Sequence, residues 1–149
     1  MQTLDKFQRP LRDLRISVTD RCNFRCPYCM PAEIYGERYK FLPRKELLTF
    51  EEIFRVVEIS SELGVKKVRI TGGEPLVRQN VTELIKMISS IKAINDIAMT
   101  TNAYLLKNFA KELLDSGLNR ITVSLDSIND EIFKKMNGRG FGTKKVMEG

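Results

Sequence analysis

Residues 14–29 read Leu-Arg-Ile-Ser-Val-Thr-Asp-Arg-Cys-Asn-Phe-Arg-Cys-Pro-Tyr-Cys. Leu14 to Val18 has the alternation and β-branched content of a strand. It runs directly into Thr19-Asp20 and then into Cys22, Cys26 and Cys29, the chain's 3 cysteines, spaced C-x3-C-x2-C. Three thiols this close rarely serve packing. Soft sulfur ligands select zinc, copper(I) or an iron–sulfur cluster. An iron–sulfur cube held by three cysteines leaves one iron open to an exogenous ligand. A structural zinc site wants four protein ligands. With no histidine in the chain, its fourth ligand would be Asp20, Glu33 or a residue of another chain. A three-cysteine cluster is the expected metal site, zinc the rival, and unligated loop thiols the bland reading.

Outward from this stretch the strand-into-motif arrangement repeats. Thr49 and Glu52 form a capping-box pattern before a helix with Ile53, Val56, Val57 and Leu63 on its apolar face and Gly64 as its stop. Lys67 to Thr71 reads as a second strand, leading into Gly72-Gly73-Glu74-Pro75. Asn80 with Glu83 predicts another capped helix, carrying Leu84, Ile85, Ile88 and Ile91. Asp96 to Thr101 is a third strand, closing on Thr100-Thr101-Asn102. Leu106 to Ser116 is a helix with Phe109, Ala110, Leu113 and Leu114 inside and Gly117 after it. Arg120 to Leu125 is a fourth strand, entering Ser124-Leu125-Asp126-Ser127. Asp130 to Met136 starts a last helix, and Gly138 to Gly142 breaks the pattern.

Strands alternating with helices give an α/β chain of parallel βα units, either half of a doubly wound sheet or part of a barrel. Both put their sites at the C-terminal edge of the strands. The cysteine loop and the three other motifs should therefore meet at one mouth. Each motif also has a plainer reading. Gly72 and Gly73 could supply positive φ in a turn. Thr-Thr-Asn could be turn chemistry, Ser124 and Asp126 could cap a helix, and Phe24 and Tyr28 could be shielding hydrophobes. Arg15 and Arg69 lie inside strands, where a charge is costly unless paired or facing a ligand; a solvated arginine is the alternative.

Length fits one domain. The formal net charge is +6, but the cations are interspersed with acids, so no nucleic-acid partner is indicated. A basic pocket for a phosphorylated small molecule accounts for some of the excess. No apolar run approaches the roughly 18–20 residues that span a bilayer, so no membrane association is expected. The clustered, odd cysteine count argues against disulfides, and the expected location is cytoplasmic.

The cysteine motif, with Tyr28 before the third cysteine, resembles the signature of radical S-adenosylmethionine (SAM) enzymes. Residues 9–31 are similar to the GTP 3′,8-cyclase family, which begins molybdenum cofactor (molybdopterin) biosynthesis, as are Arg-Ile-Thr-Gly-Gly-Glu-Pro-Leu-Val-Arg (69–78), Thr-Thr-Asn and Ser-Leu-Asp-Ser. The resemblance implies the N-terminal part, about four βα units, of a partial (βα)6 barrel. It implies a 4Fe–4S cluster on Cys22, Cys26 and Cys29, with SAM on its free iron. Tyr28, Gly73 and Ser124 would contact SAM, and Arg15, Arg69 and Thr100 would contact GTP. No side chain acts as acid or base; the radical chemistry belongs to the cofactor, taking hydrogen from C3′ and joining that carbon to C8.

The implied boundaries are an N-terminal arm over 1–13 and a radical SAM core over 14–149. The core would be truncated before the family's C-terminal second-cluster region. Expected partners are GTP, an electron donor, and either a second copy or the missing C-terminal half. The uncovered barrel interior and fourth-strand edge are expected to be sticky. Ala103 and Gln8 replace family glycines, which is tolerable if φ is negative there. The alternatives are a radical SAM enzyme acting on a peptide or other substrate, and a non-catalytic cluster- or zinc-binding fragment.

Overall fold

Strands β1 (Asp13–Ser17), β2 (Lys67–Thr71), β3 (Asp96–Thr101) and β4 (Arg120–Val123) form one parallel sheet in the order β1-β2-β3-β4. The computed structural model describes residues 3–149. Helices α1 (Phe50–Glu62), α2 (Val81–Ser89) and α3 (Leu106–Asp115) connect successive strands. Helices α4 (Asp130–Met136) and α5 (Lys144–Glu148) follow the last strand. A doubly wound sheet reverses its strand order part-way. This sheet does not, and its order is that of a barrel wall.

The two sheet faces differ in kind. Val68, Ile70, Ile97 and Met99 are buried with Ile53, Val57, Leu84, Ile85, Ile88 and Leu113 of the helices. Period-2 alternation sends the neighbouring residues to the other face. There Arg15 stands in register with Arg69, Arg69 with Ala98, and Ala98 with Arg120. One step further along the strands Thr100 is opposite Thr122. The expected sticky interior is therefore corrected: that face carries charges and hydroxyls. The β4 edge does leave apolar residues open, with Ile121 and Val123 exposed.

Local sequence accounts for most element ends. The Thr49 and Glu52 capping box forms, with Glu52 N donating to Thr49 Oγ1 at 3.1 Å and Thr49 N to Glu52 Oε2 at 2.7 Å. Gly64 follows α1 at φ 116° and Gly117 follows α3 at φ 97°, conformations that favour glycine. Four expectations fail. Val56 and Leu63, expected on the apolar face of α1, are exposed. Asn80 takes φ 61° and its side chain caps nothing. Ala110 and Leu114 of α3 are exposed, Leu114 at 71 %, because among the described residues nothing covers the flank beside β4. Gln8 and Ala103 adopt φ 63° and 58° rather than negative values. Each non-glycine residue in that region costs about 1–2 kcal/mol.

Candidate active site

The cysteine loop leaves the C-terminal end of β1 and is held there from three sides. Phe24 is buried, its ring 5.8 Å from Tyr104, 5.9 Å from Phe133 and 5.8 Å from Phe141. Arg25 closes the loop from within. Its Nη1 donates to the carbonyls of Cys22 and Phe24, both at 2.7 Å, and its Nε to Tyr35 O at 2.7 Å. Arg25 N donates to Asn137 O at 2.8 Å, and a Cβ on Gly138 would stand 1.9 Å from Arg25 O. The glycine-rich break after α4 is thus a clasp on the cysteine loop, shaped by Asn137. That side chain accepts from Arg139 N and Phe141 N and donates to Phe133 O and Phe141 O.

Cys22 and Cys26 are half-buried and Cys29 is exposed, all three unbridged. Burial pushes the Cys22 and Cys26 thiols up, while Phe24 N, donating to Cys22 Sγ at 3.3 Å, opposes the shift at Cys22. Asp20, one candidate fourth ligand for zinc, accepts Leu42 N at Oδ2, and its Oδ1 is buried with no partner among the described residues. Among the described residues no group of three His, Cys, Asp or Glu side chains is gathered to hold a single metal ion. Three thiols on one loop with no completing carboxylate or imidazole suit a cube with one open iron better than zinc, which collects four ligands about one centre.

Gly-Gly-Glu-Pro packs directly on this loop. Gly72 and Gly73 do not have positive φ, so the turn reading based on it is corrected. What demands glycine is close approach: a Cβ on Gly73 would lie 2.3 Å from Arg21 O, and one on Gly72 would lie 2.7 Å from Thr19 O. Gly73 N donates to Thr19 O at 2.7 Å and Glu74 N to Arg21 O at 2.8 Å. The Glu74 carboxylate is buried and accepts from Leu76 N, Thr101 Oγ1 and Asn102 N. Burial outweighs these donors and raises its pKa.

Tyr28, on the loop, donates its hydroxyl to Asp126 Oδ1 at 2.9 Å. Desolvation and that bond hold its phenol well above the ordinary value, so it stays protonated. Asp126 does not cap α4; Asn129 does, accepting Ile132 N. Ser124 caps nothing either; its N–H donates to Thr101 O at 2.9 Å. The four motifs thus meet at one sheet edge, as the strand polarity requires.

Arg15, Arg69 and Thr100 share the open face. Arg69 Nη1 donates to Thr100 Oγ1 at 3.1 Å and to Thr122 Oγ1 at 3.0 Å. A recess of about 240 Å³ runs toward the strand starts, lined by Arg15, Lys67, Arg69, Ala98, Arg120 and neighbours. Arg120 is paired with Asp96 at 2.6 Å. Neither Arg15 nor Arg69 has an ion pair among the described residues. A larger recess, about 440 Å³, lies between Arg21, Leu48, Phe50, Arg78 and Glu83, and shares no lining residue with the basic one.

Three residues of this site were missed in the sequence: Arg25, Asn102 as an individual side chain, and Asn137. A cation within the cysteine spacer and an asparagine before a Gly-x-Gly turn were the available signals.

The family model of the radical SAM superfamily matches residues 16–149. The chain belongs to the radical SAM superfamily. Members use a 4Fe–4S cluster and SAM, and these are the cofactors of this chain. Among curated proteins it is 56 % identical over 147 residues to a GTP 3′,8-cyclase of Staphylococcus haemolyticus, covering 99 % of this chain and 43 % of the relative. A GTP 3′,8-cyclase of Staphylococcus aureus is 54 % identical, with the same coverage. The chain therefore spans less than half the length of the curated relatives it matches. Among solved structures, Streptococcus suis SuiB bound to S-adenosylmethionine superposes with a TM-score of 0.66 at 22 % identity, covering 90 % of this chain and 30 % of SuiB. BtrN in complex with AdoMet and 2-DOIA gives 0.58 at 13 %, covering 91 % and 54 %. These two likenesses speak for the fold alone. No helix among the described residues is long and apolar enough to cross a membrane.

Proposed function

We propose that this chain is the cluster- and SAM-binding portion of a GTP 3′,8-cyclase, acting in the first step of molybdenum cofactor biosynthesis. The observation that carries the nucleotide assignment is the pair Arg15 and Arg69, adjacent in register on the open face, neither in an ion pair among the described residues although Asp13 lines the same recess and Asp96 lies near Arg69. Two neighbouring guanidiniums repel unless an anion lies between them, and their planar forks suit phosphate oxygens. Lys67 and Arg120 line the same recess. The triphosphate would lie toward that recess, leaving the nucleoside end near the mouth.

Cys22, Cys26 and Cys29 would hold the cluster, and Tyr28, Gly73 and Ser124 would contact SAM. When bound, the cluster and SAM supply a carbon-centred radical able to remove a hydrogen atom from the substrate. The chain's own residues bind, orient and shield. Arg69 is steadied by Thr100 and Thr122; Arg25 and Phe24 keep the cysteine loop shut against the aromatic cluster. The core over 14–149 acts with an electron donor and with the C-terminal region present in the longer relatives.

The test is formation of cyclised GTP under anaerobic, reducing conditions. The 149-residue chain alone is expected to give none. Joined to the C-terminal portion of a cyclase it is expected to give product, since small misplacement of substrate costs large factors in rate. No product from the joined protein, with cluster and SAM both bound, would overturn the GTP assignment.

A further inference from the structure

We propose that the side-chain amides of Asn102 and Asn23 raise the reduction potential of the cluster on Cys22, Cys26 and Cys29 by donating N–H groups to its sulfur atoms. The inference rests on the cluster reading above and assigns a task that the four motifs did not account for.

Asn102 directly follows β3 and is held at its backbone N–H and at both polar atoms of its side chain. Its backbone N donates to Glu74 Oε2 at 2.8 Å. Its Oδ1 accepts Tyr104 N at 3.1 Å. That bond decides the amide's orientation: Tyr104 N–H needs an acceptor, so the oxygen faces it and the Nδ2 group faces the cysteine loop. Nδ2 carries two hydrogens. One is donated to Asn23 Oδ1 at 2.8 Å, and Cys22 Sγ lies 3.9 Å from the same nitrogen. The sulfur of Cys22 therefore has two N–H neighbours, Asn102 Nδ2 and Phe24 N.

Asn23 continues the chain of amides. Its Oδ1 is turned to Asn102, so its own Nδ2 points away from Asn102. That Nδ2 is buried and has no hydrogen-bond partner among the described residues. A buried donor left unpaired costs about 1–3 kcal/mol. Asn23 is the residue next to Cys22, but the atom it turns to Cys22 Sγ, at 3.9 Å, is its Oδ1; the acceptor assigned to its orphaned Nδ2 is therefore a sulfur of the bound cluster other than Cys22 Sγ. Glu74 acts on this arrangement through Asn102: by fixing the Asn102 backbone, the buried carboxylate of Gly-Gly-Glu-Pro holds the amide at the loop.

The direction of the effect follows from charge. Reduction adds an electron, and the added negative charge is shared by the sulfurs. Hydrogen bonds to an anionic acceptor strengthen with its charge, so N–H donors favour the reduced form. Removing a donor makes the cluster harder to reduce.

The experiment compares the reconstituted chain with Asn102→Ala, Asn102→Asp and Asn23→Leu. The midpoint potential is read from the electron paramagnetic resonance of the reduced cluster at a series of poised potentials. Asn102→Asp keeps the oxygen that accepts Tyr104 N, so it protects the fold while removing the donor. Asn23→Leu removes the second amide and, with it, the oxygen to which Asn102 Nδ2 donates, while leaving the Asn102 backbone and its bond to Tyr104 N in place. Asn102→Ala and Asn23→Leu are each expected to shift the reduction equilibrium about tenfold toward the oxidised cluster, equivalent to about 59 mV for one electron. Asn102→Asp is expected to shift it further, through its added charge. Variants that keep full iron content and the parent potential overturn the proposal and leave the cluster reading intact. A fall in melting temperature or iron content at unchanged potential also overturns it, since that marks a purely structural role. A parent chain that takes up no iron overturns the cluster reading, and this inference with it.

Discussion

The Glu74 carboxylate accepts the Asn102 backbone N–H at 2.8 Å, tying the loop after β2 to the end of β3. The same carboxylate accepts Thr101 Oγ1 at 2.7 Å and Leu76 N at 3.1 Å. Glu74→Ala orphans three donors inside the protein. Each unpaired buried group costs about 1–3 kcal/mol, and neighbouring losses do not add fully. We expect a loss of about 3 kcal/mol, measured as the shift in urea unfolding. A loss below about 1 kcal/mol, the size of one ordinary hydrogen bond, would show the carboxylate to be dispensable.

Glu74 also gives the chain a signature in pH. Burial raises its pKa above the ordinary carboxylate value in the folded state. The folded protein therefore keeps this proton to higher pH than the unfolded chain does. Its contribution is most favourable below about pH 4.3, the unfolded value, and is lost as pH rises toward the folded pKa. Asp5, Asp96 and Asp130 run the other way: partners hold their carboxyls below the ordinary value, so their contributions are lost as pH falls. Comparing the parent with Glu74→Gln isolates the first effect. Urea midpoints from pH 4 upward should fall more steeply with pH in the parent than in the variant; parallel curves would contradict the raised pKa.

Gly73→Ala tests whether Gly-Gly-Glu-Pro and the cysteine loop form one unit. The added Cβ would lie 2.3 Å from Arg21 O and 2.6 Å from Arg21 C. Both are backbone atoms of the loop that carries the cysteines, so the loop must move. Overpacking of this kind costs about 1–3 kcal/mol. The variant should lose stability and take up less iron as well as bind SAM more weakly. Normal iron content with weakened SAM binding would mean that the glycine serves the ligand alone.

Arg69→Leu addresses the open face. It removes a guanidinium from the recess without touching the helix-facing core. Hydrogen bonds to charged groups are worth about 1.5–3 kcal/mol, or roughly 10–100-fold in affinity. GTP binding, followed by calorimetry, should weaken by that factor while iron content and SAM cleavage stay at parental levels. Equal affinity for GTP in parent and variant would remove Arg69 from the site.

Most of the strand positions were legible because β-branched alternation and flanking glycines are local signals. β2 and β3 begin and end where their sequence suggests. The convergence of the motifs was legible too, because it follows from strand polarity. The failures share a cause: they depend on what lies opposite in space. Leu114 reads as a core residue from its own helix, but whether anything covers it is decided beyond β4. Gly73 reads as a turn glycine until the cysteine loop is seen lying against it. Gly138 reads as a break, yet it is the surface on which Arg25 rests. Ala103 and Gln8 hold a left-handed conformation that their side chains disfavour, and only the backbone shows it. The polarity of the open face was present in the alternation of Arg15, Arg69, Thr100 and Thr122, but it needed the register to become one surface.

The most direct test of the account is cluster assembly and SAM cleavage by the chain itself. Reconstituted anaerobically with iron and sulfide, it should hold about four irons. With a strong reductant it should convert SAM to 5′-deoxyadenosine slowly, without GTP. Cys22→Ala, Cys26→Ala and Cys29→Ala should each abolish both. A chain that instead takes one equivalent of zinc, shows no visible charge-transfer absorption and forms no 5′-deoxyadenosine would contradict the account at its centre.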